Sequence, residues 1–460
     1  MNAVLEQVAA VRKGFAAGAL TEVTARRTQL ERVRAMLTDH EADLADALHT
    51  DLGKSATEAR VTETGFLLNE IDHTLKHLDK WTRPEKVRLP LHLGPGKAHV
   101  VPEPLGTVLI IAPWNYPLQL TLAPLIPALA AGNTVVLKPS EVAPATSAAI
   151  ARFVGEYLDP SVVRVVEGGV DETTVLLAEP WDHIFYTGNG TVGRVVLRAA
   201  AEHLTPATLE LGGKSPAIVT DSANVGVSAR RIAWGKFTNA GQTCIAPDYV
   251  LVDERVAPAF VDALVAETRK MYGSDPASSA DYGRVVNERH VTRLQALLDG
   301  GGYDSVATGG TVDAANRYIA PTVLTGVDPQ APVMDDEIFG PILPVLTYSH
   351  GVTEAIEFVN ARPKPLALYA FTADTAVADR VVAETSAGGV TVNHALMHVA
   401  VPDLPFGGVG PSGMGAYHGK AGFDVFSHRK PVLRRRFRPD PSLAYPPYTA
   451  LKQRVLKRLF

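Results

Sequence analysis

Between Val108 and Tyr186, short apolar runs alternate with helical stretches, and that alternation restricts the fold more than any other feature of the 460 residues. Val108-Leu109-Ile110-Ile111, Thr134-Val135-Val136-Leu137, Val162-Val163-Arg164-Val165-Val166 and His183-Ile184-Phe185-Tyr186 read as strands covered on both faces. Helical stretches are expected around 118–131, 144–158, 171–178 and 191–203. Such a series winds into a parallel sheet that gathers ligands at the C-terminal ends of its strands. Upstream, helical stripes run through Leu30, Val33, Leu37, Leu44 and Leu48, then through Val61, Leu68, Ile71, Leu75 and Leu78 as far as Pro84. Residues 85–105 break the pattern with repeated Pro and Gly and one extended piece, Lys97 to Val101. A second α/β series predicts strands near 249–253, 342–348 and 366–372 and helices near 256–271, 287–299 and 352–361. A strand at 424–434 and a Pro- and Arg-rich tail follow.

Hydrophobic residues make up 46% and charged residues 20%, which suits a globular chain with a sizeable core and excludes a disordered one. A net charge of −5 gives no reason to expect a nucleic-acid partner. Arg12 and Lys13 follow Met1 to Ala10 with no long apolar core, unlike a signal peptide. No run approaches the roughly 18 apolar residues of a membrane span. A reducing cytoplasm is the expected compartment. At the C-terminus Lys452, Arg454, Lys457 and Arg458 alternate with Leu451, Val455, Leu456 and Leu459, a basic amphipathic end that touches an anionic membrane weakly at most.

The chain has one cysteine, so it forms no internal disulfide and no multi-cysteine metal site. Cys244 is either an inert core filler or a nucleophile. Its loop, Gly241-Gln242-Thr243-Cys244, is polar and kinked, a poor place for a packing residue. Gly188-Asn189-Gly190-Thr191-Val192-Gly193 follows a strand and opens a helix, the context in which such a run meets a dinucleotide. Glu210 lies about twenty residues on, where the simple fingerprint puts the ribose-binding acid. Gly408-Val409-Gly410-Pro411-Ser412-Gly413 matches the same pattern, but Pro411 and the lack of a following helix make it a turn. Lys138 and Glu141, at the end of a strand, are placed to reach a ribose or to form a solvated turn. Asn115 is a turn residue or an amide aimed at an oxyanion. Glu210, among apolar residues, is a usable base or a salt-bridged structural acid. His394 and His398 have the spacing of a metal pair, yet Asn393 and Pro402 argue for a loop and no carboxylate cluster accompanies them, so no metal is expected.

Taken together, Pro113-Trp114-Asn115, Lys138-Pro139-Ser140-Glu141, Leu209-Glu210-Leu211-Gly212-Gly213-Lys214, the Cys244 loop and Glu337-Ile338-Phe339-Gly340-Pro341 resemble the aldehyde dehydrogenase superfamily in order and spacing. The segments 230–237, 404–410 and 417–420 resemble its class 3, fatty-aldehyde-like branch. The resemblance implies an α/β fold of two wound parallel-type domains plus a small strand element that joins subunits. On that basis 1–84 and 106–208 form a cofactor domain, and 209–400 a catalytic domain. Residues 85–105 and 401–460 form the oligomerisation element and tail. It further implies Cys244 as nucleophile, Glu210 as general base, and Asn115 with the Cys244 backbone N–H as the oxyanion hole. Lys138 and Glu141 would hold the adenosine ribose, which frees Glu210 from that role. Gly188, Val192 and Gly193 would meet the pyrophosphate; Trp114, Glu337 and Phe339 belong to the cofactor site. Tyr116, Trp234 and Phe406, with Phe66, would line an aldehyde channel suited to medium or long aliphatic or aromatic aldehydes.

The implied activity is NAD(P)-dependent oxidation of an aldehyde to the acid through a cysteine thiohemiacetal and thioester, with NAD the expected cofactor, NADP possible, and a homodimer as the assembly. An enzyme passing the thioester to coenzyme A is the alternative, and retention of Glu210 argues against it. A non-catalytic protein of the same fold is a second alternative, opposed by the intact set of Cys244, Glu210 and Asn115.

Overall fold

The computed structural model describes residues 2–90, 93–440 and 442–459. Its first sheet runs Gly413–Met414, Ala207–Glu210, His183–Thr187, Thr107–Ile111, Thr134–Lys138, Val163–Val165. Neighbours are parallel except Gly413–Met414, which closes one edge antiparallel to Ala207–Glu210. The strands 107–111, 134–138 and 183–187 are buried along their whole length, as unalternated apolar runs require. Val108, Ile110, Val135, Leu137 and Phe185 face a layer of N-terminal helices carrying Leu30, Val33, Leu37 and Ile71. Leu109, Ile111, Val136, Ile184 and Tyr186 face the opposite layer, with Val8, Val11 and Val196. The stretch expected as one helix at 118–131 is two, Pro117–Leu122 and Leu125–Ala131. The break falls at Pro124, which has no N–H to continue the first helix.

The second sheet orders Ser305–Thr308, Thr322–Thr325, Ile342–Tyr348, Tyr249–Asp253, Pro216–Val219, Ala367–Phe371, Gly389–Val392, all parallel but the first. Four of its strands are missing from the sequence reading, and each is only 4 residues long, too short to display a period. A third, antiparallel sheet pairs Glu85–Val87 with Gly96–Pro104 and that with Ser427–Arg435. The strand expected at 424–434 therefore begins later, because Gly419–Val425 is helical. This helix packs on Leu125–Ala131 and puts Phe423 and Phe426 into the first core. Residues 413–426 thus lie on the first sheet and its helices, although the sequence reading groups them with the tail. That reading's 208/209 boundary falls inside a strand of the first sheet. Leu91 and His92 lie outside the described residues, as does the side chain of Leu459 at the end of the tail helix Ala450–Leu459. No described helix is long and apolar enough to cross a membrane.

One buried amide ties these distant segments together. Asn133 Oδ1 accepts from the Gly106 N–H at 2.9 Å, while Nδ2 donates to Ala128 O at 3.1 Å and Phe426 O at 2.9 Å. Leucine there would strand the Gly106 N–H and the Phe426 carbonyl, while Ala128 O keeps the backbone N–H groups of Gly132 and residue 133. Asn133→Leu is expected to lower stability by about 2–4 kcal/mol. Equilibrium urea unfolding measures this, and an unchanged midpoint would contradict it.

Candidate active site

Register in the first sheet brings the ends of four strands together: Ile111 pairs with Lys138 and Tyr186, and Thr187 with Glu210. The chain leaves Ile111 through a turn that carries Trp114, Asn115 and Tyr116 into the helix Pro117–Leu122. Asn115 is buried, and its side-chain Nδ2 donates to Gln242 O at 3.0 Å. An amide nitrogen has two N–H groups, so this bond leaves one free.

The nucleophile candidate sits after an unusual turn. Asn239, Ala240 and Gly241 are all left-handed, with φ of 53°, 50° and 75°. For the two non-glycine residues this stores about 1–3 kcal/mol each. Their surroundings hold them there. The Gln242 side chain donates to Asn239 O and Arg284 O and accepts from the Val286 N–H. Asn239 Nδ2 donates to Asn115 O at 2.7 Å. A Cβ on Gly241 would lie 2.2 Å from Gly340 O, so this position also needs glycine for space. Cys244 follows, half-buried. Burial pushes its thiol up, and the charges of Glu337 and Glu210 push the same way; the backbone N–H groups of Cys244 and Ile245 oppose them.

Glu210 is 2% exposed, and neither carboxylate oxygen has a hydrogen-bond partner. Burial alone pushes it well above the usual carboxylate range. Glu337 is raised to about 8, by burial first and then by Asp248. It lies against Gly212, where a Cβ would be 2.1 Å from Oε2. Asp248 anchors this segment: it accepts from the Ile338 N–H at 3.1 Å and pairs with Lys214 at 2.6 Å.

The remaining candidates line the same edge. Asn189 caps the helix Gly190–His203 by accepting from the Val192 N–H at 3.0 Å, while Gly188 N–H bonds Glu210 O. A capped first turn still presents the Gly190 and Thr191 N–H groups outward. Val192 is exposed beside them, and Gly193 packs its Cα side on Leu211. Lys138 is buried, donating to Pro139 O at 2.8 Å and to Glu141 at 3.3 Å, and Glu141 is half exposed. Phe339 meets Trp114 edge-on with centroids 5.3 Å apart. A dinucleotide fits these residues. The helix mouth offers free N–H groups, Thr187 Oγ1 is buried at the strand end with no partner, and a half-exposed carboxylate stands beside Lys138.

The apolar candidates are less alike than their sequence context suggests. Tyr116 is buried with its hydroxyl 2.6 Å from Thr243 Oγ1, next to Cys244. Trp234 is partly buried and meets the ring of His394. Phe406 is buried among His398, Tyr417 and His418, and Phe66 contacts His418. His394 and His398 thus pack against aromatic rings, and among the described residues no group of three or more His, Cys, Asp or Glu is set to hold a metal. Sequence reasoning missed Gln242 as the clamp of the loop and Tyr417, which feels the charges of both Glu210 and Cys244. It also missed the buried pair Lys54–Glu63 beneath Asn115. No local signal marks that pair, since a polar stretch after Gly53 reads as solvated surface.

Known proteins resemble this chain along most of its length. The model of the aldehyde dehydrogenase family matches residues 2–432. Aldehyde dehydrogenase family 3 member H1 of Arabidopsis thaliana is 47% identical over 98% of this chain and 94% of its own length. The dimeric NADP-preferring aldehyde dehydrogenase of Rattus norvegicus is 47% identical over 94% of this chain and 95% of its own. The substrate-bound structure of Staphylococcus aureus AldH superposes with a TM-score of 0.97 at 45% identity, covering 100% of both chains. The protein is an aldehyde dehydrogenase and belongs to that family, alongside its class 3 members.

Proposed function

We propose that the chain oxidises an aldehyde to the carboxylic acid with NAD(P), through covalent intermediates on Cys244. The observation that carries this reading is Glu210, a buried carboxyl whose two oxygens bond nothing, in the same site as the lone thiol, whose ionisation its charge opposes. The Cys244 sulfur adds to the aldehyde carbon, and the free N–H of Asn115, with the Cys244 backbone N–H, receives the developing oxyanion. Lys138, Glu141, Thr187, the helix mouth at Gly188–Gly193, Trp114, Glu337 and Phe339 would hold the cofactor. Its nicotinamide supplies the hydride acceptor when bound. The acyl group then remains on sulfur as a thioester, and Glu210 takes a proton from the water that hydrolyses it. A coenzyme A acceptor would leave that buried base without work. Tyr116, Trp234 and Phe406 favour medium or long aliphatic or aromatic aldehydes. A kcat/KM series over aldehydes of increasing length tests that preference. The exposed strands of the third sheet support assembly as a homodimer.

Cys244→Ala is expected to abolish oxidation while NAD binding, read by fluorescence titration, is unchanged. Turnover in that variant would refute the mechanism, since no second thiol exists.

Glu210→Gln is expected to form the thioester and release NADH once per site, followed by very slow turnover. In the unaltered enzyme, the raised carboxyl is protonated at low pH and accepts no proton. Deacylation should therefore be lost as pH falls and rise with pH well beyond the ordinary carboxylate range. Stopped-flow mixing at several pH values checks both points. Normal turnover with only weakened NAD binding would instead make Glu210 a ribose ligand.

A carboxylate at 141 accepts from a ribose 2′-OH and repels a 2′-phosphate, so NAD is expected to be preferred, and Glu141→Gln to raise kcat/KM for NADP severalfold. A higher kcat/KM for NADP in the unaltered enzyme would overturn that assignment.

A further inference from the structure

Two ionisable groups that the mechanism above does not use lie fully buried directly beneath Asn115. Lys54 and Glu63 are each 0% exposed and form an ion pair. Lys54 sits just past the helix Glu41–Leu52, which Gly53 ends in the left-handed conformation. Glu63 is turned inward by a π-helical turn, Arg60–Thr64, whose closing bond runs from the Gly65 N–H to Arg60 O. Such wide turns recur at functional sites because they redirect one side chain without ending the helix.

An ammonium has three N–H donors, and each has a partner here. One goes to Glu63, one to Asn115 O at 3.2 Å, and the third faces the Tyr116 ring, 4.0 Å from its centroid. Glu63 spends its other oxygen on the N–H groups of Leu118 and Gln119, at 2.9 and 3.0 Å. Every other hydrogen bond of the two side chains thus falls on residues 115–119. A buried ion pair adds little stability over apolar residues of equal volume, so stability alone does not account for it.

We propose that Lys54 is a positioning residue for the oxyanion donor. It fixes the Asn115 carbonyl and the Tyr116 ring, so that the remaining N–H of the Asn115 amide stays aimed at the carbonyl oxygen of the reacting substrate. The neighbouring bonds from Asn115 Nδ2 to Gln242 O and from Tyr116 to Thr243 then carry the same geometry into the Cys244 loop. This inference rests on the reading of Cys244 and Asn115 given above.

An activated ester tests it without any cofactor. With p-nitrophenyl acetate, the Cys244 thiolate adds to the ester carbonyl, the C–O bond to the aryl group breaks, and p-nitrophenolate leaves. Water then releases acetate from the sulfur. The paired change Lys54→Met with Glu63→Gln removes both charges of the pair at once, and the neighbouring Glu58 carboxyl, no longer lowered by Lys54, shifts further up and takes a proton. Its rate of p-nitrophenolate release is expected to fall about 10- to 100-fold. Alkylation of the same thiol by iodoacetamide, a displacement that develops no oxyanion, should change less than about threefold by the same positioning argument. Asn115→Ala should slow acylation as well, and the triple variant no further than Asn115→Ala alone. Acylation at the unaltered rate, equal slowing of acylation and alkylation, or a multiplied loss in the triple variant would each overturn the proposal. If Asn115→Ala itself acylates normally, the oxyanion reading fails instead. Should the methionine variant not fold, Lys54→Gln with Glu63→Gln is read by the same criteria.

Discussion

Parallel strands that share a sheet also share an edge for their last residues, and the site depends on that geometry. Ile111, Lys138, Thr187 and Glu210 end their strands within one residue of a common register. Backbone groups beyond a strand end have no ladder partner, so the turns that follow are free to present N–H groups and side chains to a ligand. Asn115 and the Gly188–Gly193 turn occupy these positions. The second sheet contributes differently, since Cys244 comes from a clamped left-handed turn leading to its strand Tyr249–Asp253.

Electrostatically the site is set against its own charges. Cys244, Glu210 and Glu337 are all acids, all pushed up, and the two carboxyls both disfavour ionisation of the thiol. Lys214 and Lys236 lower Glu337 only in part, since Lys214 is committed to Asp248, Val333 O and Asp336 O and Lys236 is buried 3.8 Å from Asp248. Burial even lowers Lys236 to about 8. A site with few ionised groups suits chemistry whose charge appears only in the transition state, where oriented dipoles act without having to reorganise.

Apolar runs predicted the central strands because full burial forbids polar interruption, and the long, regular segments are where they should be. Strands of four residues escaped, as did the break at Pro124, which was visible as a proline but outweighed by the apolar stretch around it. The Cys244 loop and the turns around Asn115 and Gly188 were legible because glycine, proline and short polar residues cluster there. Lys54 and Glu63 were not. Charged side chains are assigned to solvent by default, and only tertiary packing from the 113–119 turn reverses that. Trp234 and Phe406 were legible as apolar, while the rings that surround them come from residues far away in the chain.

The seams of the first sheet also bear on how the chain matures during synthesis. Its closing strand is Gly413–Met414, the carbonyl of Phe426 completes Asn133, and Gly96–Pro104 is paired from Ser427 to Arg435. The second sheet draws only on strands between Pro216 and Val392. A ribosome that has released the whole second unit therefore still holds back what the first needs. The half of the molecule made earliest is the last to be finished, and its unpaired edge stays open to strange partners until the final strand emerges.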